Sequence, residues 1–395
     1  MKSSYYRETW ADIDLDAAGY NVARMRALIP EETMLMAVVK ANAYGHGAVR
    51  IAETALKNGA SWLAVAIFDE ALALRKAGIK APILVLSPIR PEDAEIAARY
   101  KISLTVFQKE WVEKAEEALP ASLSDPVLIH IACDTGMGRI GIRNKEEAAA
   151  FAEVIQADRK FTAEGLFTHF STADQDDETY FNEQYNRFET MIDWFLELGV
   201  RPKVIHCGNS AATLKYPAEQ RHLFNMVRYG ISMYGLSPSP EMIKKLPFPL
   251  KRVLSLHSRL MHVKKVEKGT SIGYGASYQS PSAEWIGTVP IGYADGWLRA
   301  LSGSDLLVAG HRCPIVGRIC MDQLMCRLPH EFPVGTEVTL IGREGSEEIT
   351  ADEIAKKLGT INYEVTCMIQ PRVPRIFHEG GKKTDVLNPV LGLLD

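Results

Sequence analysis

The chain lacks the marks of a membrane or exported protein. No apolar run among its 395 residues approaches the roughly 20 that a bilayer span needs. The amino end, residues 1–13, alternates polar and aromatic residues and has no apolar core of a secretory signal. Six cysteines (Cys133, Cys207, Cys313, Cys320, Cys326 and Cys367) show no Cys-x-x-Cys spacing. They read as free thiols in a reducing compartment, which favours the cytoplasm, and no metal ligand set is expected. There is no basic cluster either. Lys and Arg number 45 against 49 Asp and Glu, a net charge of −4, which argues against nucleic acid as a partner. Solenoid repeats and low-complexity tracts are also missing. What remains is 47% hydrophobic and 24% charged, ordinary globular material long enough for two domains.

From the amino end, Thr9 to Ile13 alternates like a short strand, and Asp16 is placed to cap a helix from Ala17 to Leu28, stopped by Pro30. Thereafter apolar runs alternate with helical periodicity. The strands expected are Met34–Val39, Trp62–Ile67, Ile83–Leu86, Leu104–Phe107, Val127–Ala132, Ala163–Phe167, Lys203–His206 and Met226–Tyr229. Helices are expected between them, as at Ala48–Leu56, Phe68–Ala77 and Thr179–Leu198. About eight strand–helix units in roughly 230 residues match an α/β (β/α)8 TIM-like barrel, although a doubly wound sheet gives a similar pattern. Near Ser237-Pro238-Ser239-Pro240 and Pro247-Phe248-Pro249 the character changes. Beyond them Leu254–Lys264, Trp285–Val289, Leu306–Val308 and Val338–Ile341 alternate, with one helix at Ala351–Leu358, as in a β-rich C-terminal domain. The expected division is an N-terminal strand over residues 1–12 that packs with the C-terminal domain, a barrel over 13–245 and the β-rich domain over 246–395.

Chemistry collects where the barrel strands end. Lys40 follows the first, inside Val38-Val39-Lys40-Ala41-Asn42-Ala43-Tyr44-Gly45-His46-Gly47. A lysine desolvated there can lose its proton and form a Schiff base. Asp134-Thr135-Gly136-Met137-Gly138-Arg139 follows the fifth strand, Thr168-His169-Phe170 the sixth, and Gly208-Asn209-Ser210 the seventh. Arg228-Tyr229-Gly230-Ile231 lies at the eighth. Taken singly, Asp134 and Asn209 are ordinary turn residues, His169 a satisfied core histidine and Arg228 a surface ion-pair residue. Together they populate one rim, where barrel enzymes work and where the last two loops tend to bind phosphate.

The stretch Val38–Gly47 resembles the pyridoxal-phosphate attachment signature of the alanine racemase family, with Lys40 in the place of the Schiff-base lysine. The resemblance runs along nearly the whole chain. It includes Ser271-Ile272-Gly273-Tyr274-Gly275-Ala276-Ser277-Tyr278, Val316-Gly317-Arg318-Ile319-Cys320-Met321-Asp322-Gln323 and Ile361-Asn362-Tyr363-Glu364. It implies interconversion of L- and D-alanine by two bases, Lys40 on one face of the substrate and Tyr274 on the other, supplying D-alanine for peptidoglycan. Free tyrosine titrates near 10, so Tyr274 needs nearby cations to act as a base, for which Arg228 and His169 are the candidates. The family pattern implies a Tyr274–His169–Arg228 chain, with Asp322 in support. Arg228 would also face the cofactor's pyridine nitrogen. A guanidinium cannot accept a proton, which leaves that nitrogen unprotonated and weakens the electron sink.

By the same resemblance, Tyr44, Ser210, Gly230, Ile231 and Tyr363 would hold the phosphate, with Asn209 and His169 also at the cofactor. Arg139 and the Met321 backbone would bind the substrate carboxylate, and Tyr293 and Tyr363 would narrow the entrance. A head-to-tail homodimer is implied, in which each Tyr274 serves the partner's site. Many family members carry a carbamylated lysine two positions before the aspartate matched by Asp134. Here that position is Ala132, so Arg139 is expected to be held by another anion such as chloride, or by Asn or backbone acceptors. Three other readings are a racemase for serine or several amino acids, a decarboxylase of the same two-domain plan, and a pyridoxal-phosphate-binding homeostasis protein. The decarboxylase calls for a carboxylate at the pyridine nitrogen. The homeostasis protein would be a lone barrel, without the β-rich domain that carries Tyr274.

Overall fold

Strand β1 (Thr9–Asp14) does not join the strands that follow it. It pairs with segments more than 200 residues away, antiparallel along residues 254–258 and parallel along 375–378. The structure, a computed structural model, describes residues 5–157, 159–216 and 224–393. The chain forms two units. One comprises Ala18–Ala43 and Ala48–Lys251; the other comprises Met1–Ala17, Tyr44–Gly47 and Arg252–Asp395.

The first unit is a closed barrel of eight parallel strands. They are β2 (Met34–Val38), β3 (Trp62–Val65), β4 (Ile83–Val85), β5 (Ile102–Val106), β6 (Val127–Ala132), β7 (Phe161–Phe167), β8 (Val204–His206) and β9 (Met226–Tyr229). Neighbours in sequence are neighbours in the barrel, and β2 pairs with β9. Strands covered by helices outside and packed side chains inside are apolar on both faces, which is why they read as continuous runs. At the β8–β9 seam a side chain substitutes for ladder bonds. Asn225 Oδ1 accepts from Ile205 N at 2.8 Å, and its Nδ2 donates to Lys203 O at 2.7 Å.

One expectation about a helix end needs correction. The first helix starts at Leu15 and its Ala17 N–H donates to Asp14 Oδ1, so Asp14 rather than Asp16 caps it. The Asp16 carboxylate accepts instead from Gly380 N.

The other unit is a β-rich body built on an eleven-stranded sheet. Its strands are β10 (Leu254–Arg259), β11 (His262–Val266), β14 (Glu284–Val289), β15 (Asp305–Val308), β16 (His311–Val316), β17 (Leu324–Leu328), β18 (Glu337–Glu344), β19 (Glu347–Ile349), β20 (Arg375–Glu379), β21 (Lys382–Leu387) and β1. A separate hairpin pairs β12 (Ser271–Ile272) with β13 (Tyr278–Gln279). The run expected as one strand, Leu254–Lys264, is broken into β10 and β11. The cause is a change of partner: Leu260 exchanges backbone bonds with residues 335 and 336, and β11 then pairs with β14. A short helix at Asn362–Cys367 follows the expected one at Ala351–Leu358. None of the six cysteines is in a disulfide, and no described helix is long and apolar enough to cross a membrane.

A buried arginine fastens the Tyr44–Gly47 segment into this body. Arg375 donates Nε to Gly45 O (2.9 Å), Nη1 to the carbonyls of Gln370 and Val373 (both 2.7 Å) and Nη2 to Ile369 O (2.6 Å). Its acceptors are all carbonyls, so burial goes uncompensated by a carboxylate and pulls the guanidinium down to about 10, still charged at neutral pH. Gly45 itself has φ 87° and its Cβ position lies 2.3 Å from Thr366 O, so only glycine fits. Replacing Arg375 by Leu leaves three buried carbonyls and one part-buried carbonyl short of a donor. We expect a loss of about 3 kcal/mol of stability, read as a lower urea midpoint. An unchanged midpoint would show that water replaces the guanidinium.

Candidate active site

The backbone after β2 turns the wrong way. Ala41, Asn42 and Ala43 have φ/ψ of 52/51°, 53/46° and 54/54°, and Tyr44 has φ 51°. This is a left-handed helical turn made without glycine, closed by Ala43 N donating to Val39 O at 2.9 Å. Left-handed helical geometry costs roughly 1–2 kcal/mol per such residue, so side chains must hold it. Glu70 Oε1 accepts from Ala41 N at 2.6 Å, while its Oε2 accepts from Ala66 and Ile67 N–H groups beyond β3. Asn42 Oδ1 accepts from Ala48 N at 2.9 Å and so caps the helix Ala48–Lys57. The turn begins at Lys40 and fixes where the lysine leaves the strand.

Arg228, on β9, lies buried inside the same rim. Nη1 donates to His206 Nδ1 (2.8 Å) and to His206 O; Nη2 donates to Thr168 O (2.9 Å), Cys207 O (3.1 Å) and His169 Nδ1 (3.2 Å). These bonds use both Nη atoms and leave Nε as the donor with no partner among the described residues. Burial pulls the guanidinium down to about 10. Arginine only donates, so His169 Nδ1 accepts and its ring proton sits on Nε2. Burial, then the cations of Arg228, Arg139 and Lys40, drive His169 down to about 3. Those charges also show that Lys40, Arg139, His169 and Arg228 converge.

Around them the loops after β8 and β9 are joined by Gly230 N donating to Ser210 Oγ at 2.9 Å. Asn209 caps the short helix Ser210–Lys215 by accepting from Ala212 N at 3.0 Å. Asp134 accepts from Gly136 and Gly138 N–H groups and shapes the turn that carries Arg139. No hydrogen bond or ion pair to a described residue holds Arg139 itself.

The β-rich unit carries the remaining residues. Tyr44 and Tyr363 have ring centroids 6.2 Å apart. Burial, with Tyr363 and Cys367 beside it, raises the Tyr44 phenol well above its usual range, so it stays a neutral donor. Ala294 N donates to Met321 O and Tyr293 N to Cys320 O, which uses the Met321 carbonyl and leaves its N–H. Gly292 makes this approach possible, since its Cβ position lies 2.4 Å from Met321 O. Asp322 pairs with Arg372 at 2.8 Å, and Arg372 reaches the buried Asp295, which Arg7 holds from the amino end. Tyr274 stands apart on the hairpin loop between Gly273 (φ 77°) and Gly275 (φ 70°), with 70% of its surface exposed.

Comparison with known proteins identifies the family. The family description "Alanine racemase, N-terminal domain" matches residues 13–238, and "Alanine racemase, C-terminal domain" matches residues 253–377. This chain belongs to the alanine racemase family. It is 55% identical over 386 residues to the alanine racemase of Geobacillus kaustophilus, covering 98% of each chain. Against that of Geobacillus stearothermophilus it is 53% identical over 388 residues, again covering 98% of each. The solved alanine racemase of Bacillus anthracis, bound to L-Ala-P, superposes with a TM-score of 0.96 at 50% identity, covering 99% of this chain and 100% of that one.

Family members use pyridoxal phosphate, and the donors present suit it. Arg228 Nε suits the pyridine nitrogen. The Ser210 hydroxyl hydrogen and the Ile231 N–H, at the open end of a short helix, suit a phosphate. Tyr229 Oη and Ser232 Oγ, flanking that loop in sequence, are buried with no partner among the described residues. Several residues here escaped sequence reasoning: Glu70, Asp295, Arg372, and the pair His206 and His130. Their only signals were a polar residue in a strand, as for the histidines, in a helix's first turn, as for Glu70 and Asp295, or in a turn, as for Arg372.

The racemase rim predicts a pH effect. Between about 6.5 and 3 the unfolded chain carries a proton on His169 that the folded protein refuses. The unfolded state therefore gains as pH falls, and stability rises with pH across this window. His169→Gln should flatten that slope by up to one proton, about 1.4 kcal/mol per pH unit. Denaturation midpoints of both proteins from pH 7.5 to 5 measure it; parallel slopes would mean that His169 is protonated in the fold.

Proposed function

We propose that this racemase interconverts L- and D-alanine with Lys40 and Tyr274 as its two bases. The observation that carries it is the convergence of Lys40 with a neutral His169 and a buried Arg228 on one barrel rim. Bound pyridoxal phosphate supplies the electron sink for the pair left when the Cα proton departs. Lys40 would hold the cofactor covalently, and its amine would move the proton at one face. Tyr274 moves it at the other. A tyrosine acts as a base only if its phenolate is stabilised. The neutral His169, with Nδ1 fixed by Arg228, presents Nε2–H as a donor to that oxygen.

Tyr274 reaches this site from a partner subunit in a head-to-tail homodimer. Its exposure on a hairpin loop supports this reading. Tyr44, Ser210, Ile231 and Tyr363 hold the phosphate, with Gly230 contributing through Ser210. Asn209 acts as the cap that shapes this loop. Arg139 and the Met321 N–H take the substrate carboxylate. Asp322, through Arg372 and Asp295, keeps the Met321 loop in place, and Tyr293 with Tyr363 narrows the entrance toward a methyl side chain. The product serves D-alanine supply for peptidoglycan in the cytoplasm, a compartment that six cysteines outside disulfides suit.

In place of a carbamylated lysine, a chloride holds Arg139. Ala132 is buried on β6 and offers no anion. Crystals grown in bromide should show an anomalous peak beside Arg139; a protein carboxylate there instead would refute the chloride.

The reaction is tested by incubating the protein, reconstituted with pyridoxal phosphate, with L-alanine and separately L-serine in heavy water. Inversion of alanine with deuterium at Cα, much faster than for serine, is the expected result. Lys40→Ala should abolish turnover of both enantiomers unless an external amine is added. Tyr274→Phe should lose exchange preferentially from L-alanine. Loss from D-alanine alone would reverse the two faces.

A further inference from the structure

Behind Arg228 a line of polar side chains runs through the barrel interior, away from the rim. His206 Nε2 lies 3.0 Å from His130 Nδ1, and His130 Nε2 lies 3.3 Å from Glu164 Oε2. Ser103 Oγ donates to the same carboxylate oxygen at 2.5 Å. Ser103 is the second residue of β5 and Glu164 the middle residue of β7, one before the Gly165 that pairs with His130, and the line ends there with the Glu164 side chain 19% exposed. The rings are seated by their surroundings. Phe167 stacks on His206 at 4.9 Å and 5°, and Trp62 tilts against His130 at 5.4 Å. A Cβ at Gly165 would lie 2.3 Å from His130 Nδ1, so the strand leaves out a side chain where the imidazole sits.

We propose that Glu164 is a positioning residue for Arg228, acting through His130 and His206 as a hydrogen-bond relay of fixed direction. The direction follows from the two ends. Arg228 can only donate, so His206 Nδ1 accepts and its proton is on Nε2. That proton points at His130 Nδ1, which must accept, so His130 also carries its proton on Nε2. That proton meets an ionised carboxylate, which can only accept. A reversed tautomer at either ring would set N–H against N–H and turn the guanidinium, moving Nε with it. The ionisation directions agree. Burial drives both imidazoles down, His206 further through Arg228. Burial alone would raise Glu164, but hydrogen bonds from His130 and Ser103, with the charge of Lys203, outweigh it, and the carboxyl sits below its usual range.

Neutron diffraction from deuterium-exchanged crystals of the holoenzyme reads the relay directly. We expect deuterium on Nε2 and none on Nδ1 of both His206 and His130, with Glu164 bare. Deuterium on Nδ1 of either ring would overturn the proposal. The kinetic arm rests on the racemase reading. Glu164→Leu removes the acceptor and should lower kcat for alanine about tenfold at unchanged KM, with a shift in the cofactor's visible absorption. Glu164→Gln, whose amide oxygen still accepts, should recover most of both. A folded Glu164→Leu with normal kcat and spectrum, or a Gln variant as impaired as Leu, would refute it. If Leu does not fold, the neutron result decides. Should no form racemise alanine while the deuterium pattern holds, the proposed function fails and the relay stands.

Discussion

A guanidinium buried in a barrel must be solvated by the protein, and most of this site follows from how Arg228 is solvated. Its Nη donors take three carbonyls, from residues 168, 206 and 207, and two imidazole nitrogens. Those carbonyls lie at the ends of β7 and β8, so the cation ties two strand ends to a third. Because arginine cannot accept, it also dictates which nitrogen of each neighbouring histidine holds the proton. His169 is thereby turned into a donor toward the site, and His206 into a donor away from it. One residue's chemistry sets the polarity on both sides.

The lysine is positioned by a different principle. Four left-handed residues carry the chain from Lys40 to Tyr44, and such strain persists only where the surroundings over-determine it. Glu70 and Asn42 hold the turn from the barrel side. Arg375 holds Gly45 within the β-rich unit. The signature stretch is thus divided, with Lys40 built into one unit and Tyr44 into the other. Strand β1 likewise sits in the β-rich sheet while the helix after it opens the barrel sequence. The β-rich unit is assembled from three separate parts of the chain, which gives Tyr44 a rigid neighbour in Tyr363.

The barrel was readable from sequence because a strand covered on both faces leaves a continuous apolar run, and each such run here became a strand within a few residues. The rim residues were readable because strand-end position and residue type coincide, as at Lys40, His169 and Arg228. Local pattern also fixed the helices at Ala48–Lys57 and Ala351–Leu358, where capping and glycine signals flank a single amphipathic stretch. What failed were features with no local signature. Leu254–Lys264 alternates throughout, yet the strand breaks because its backbone changes partners at Leu260. Asp16 suits a cap by residue type and place, yet Asp14 takes that role and the approach of residue 380 draws Asp16 elsewhere.

By itself, then, the sequence determined which segments are buried, their order around the barrel and which ionisable groups end up on one rim. Those follow from hydrophobic period and chain order, both local properties. The tertiary structure alone decided protonation and handedness. Ala41, Asn42 and Ala43 have ordinary right-handed preferences that distant hydrogen bonds override. His130, Glu164 and His206 are separated by 34 and 42 positions and look like isolated polar residues in strands. They become a directed line only when parallel strands bring them into register behind Arg228, because hydrogen-bond direction is set by neighbours in space.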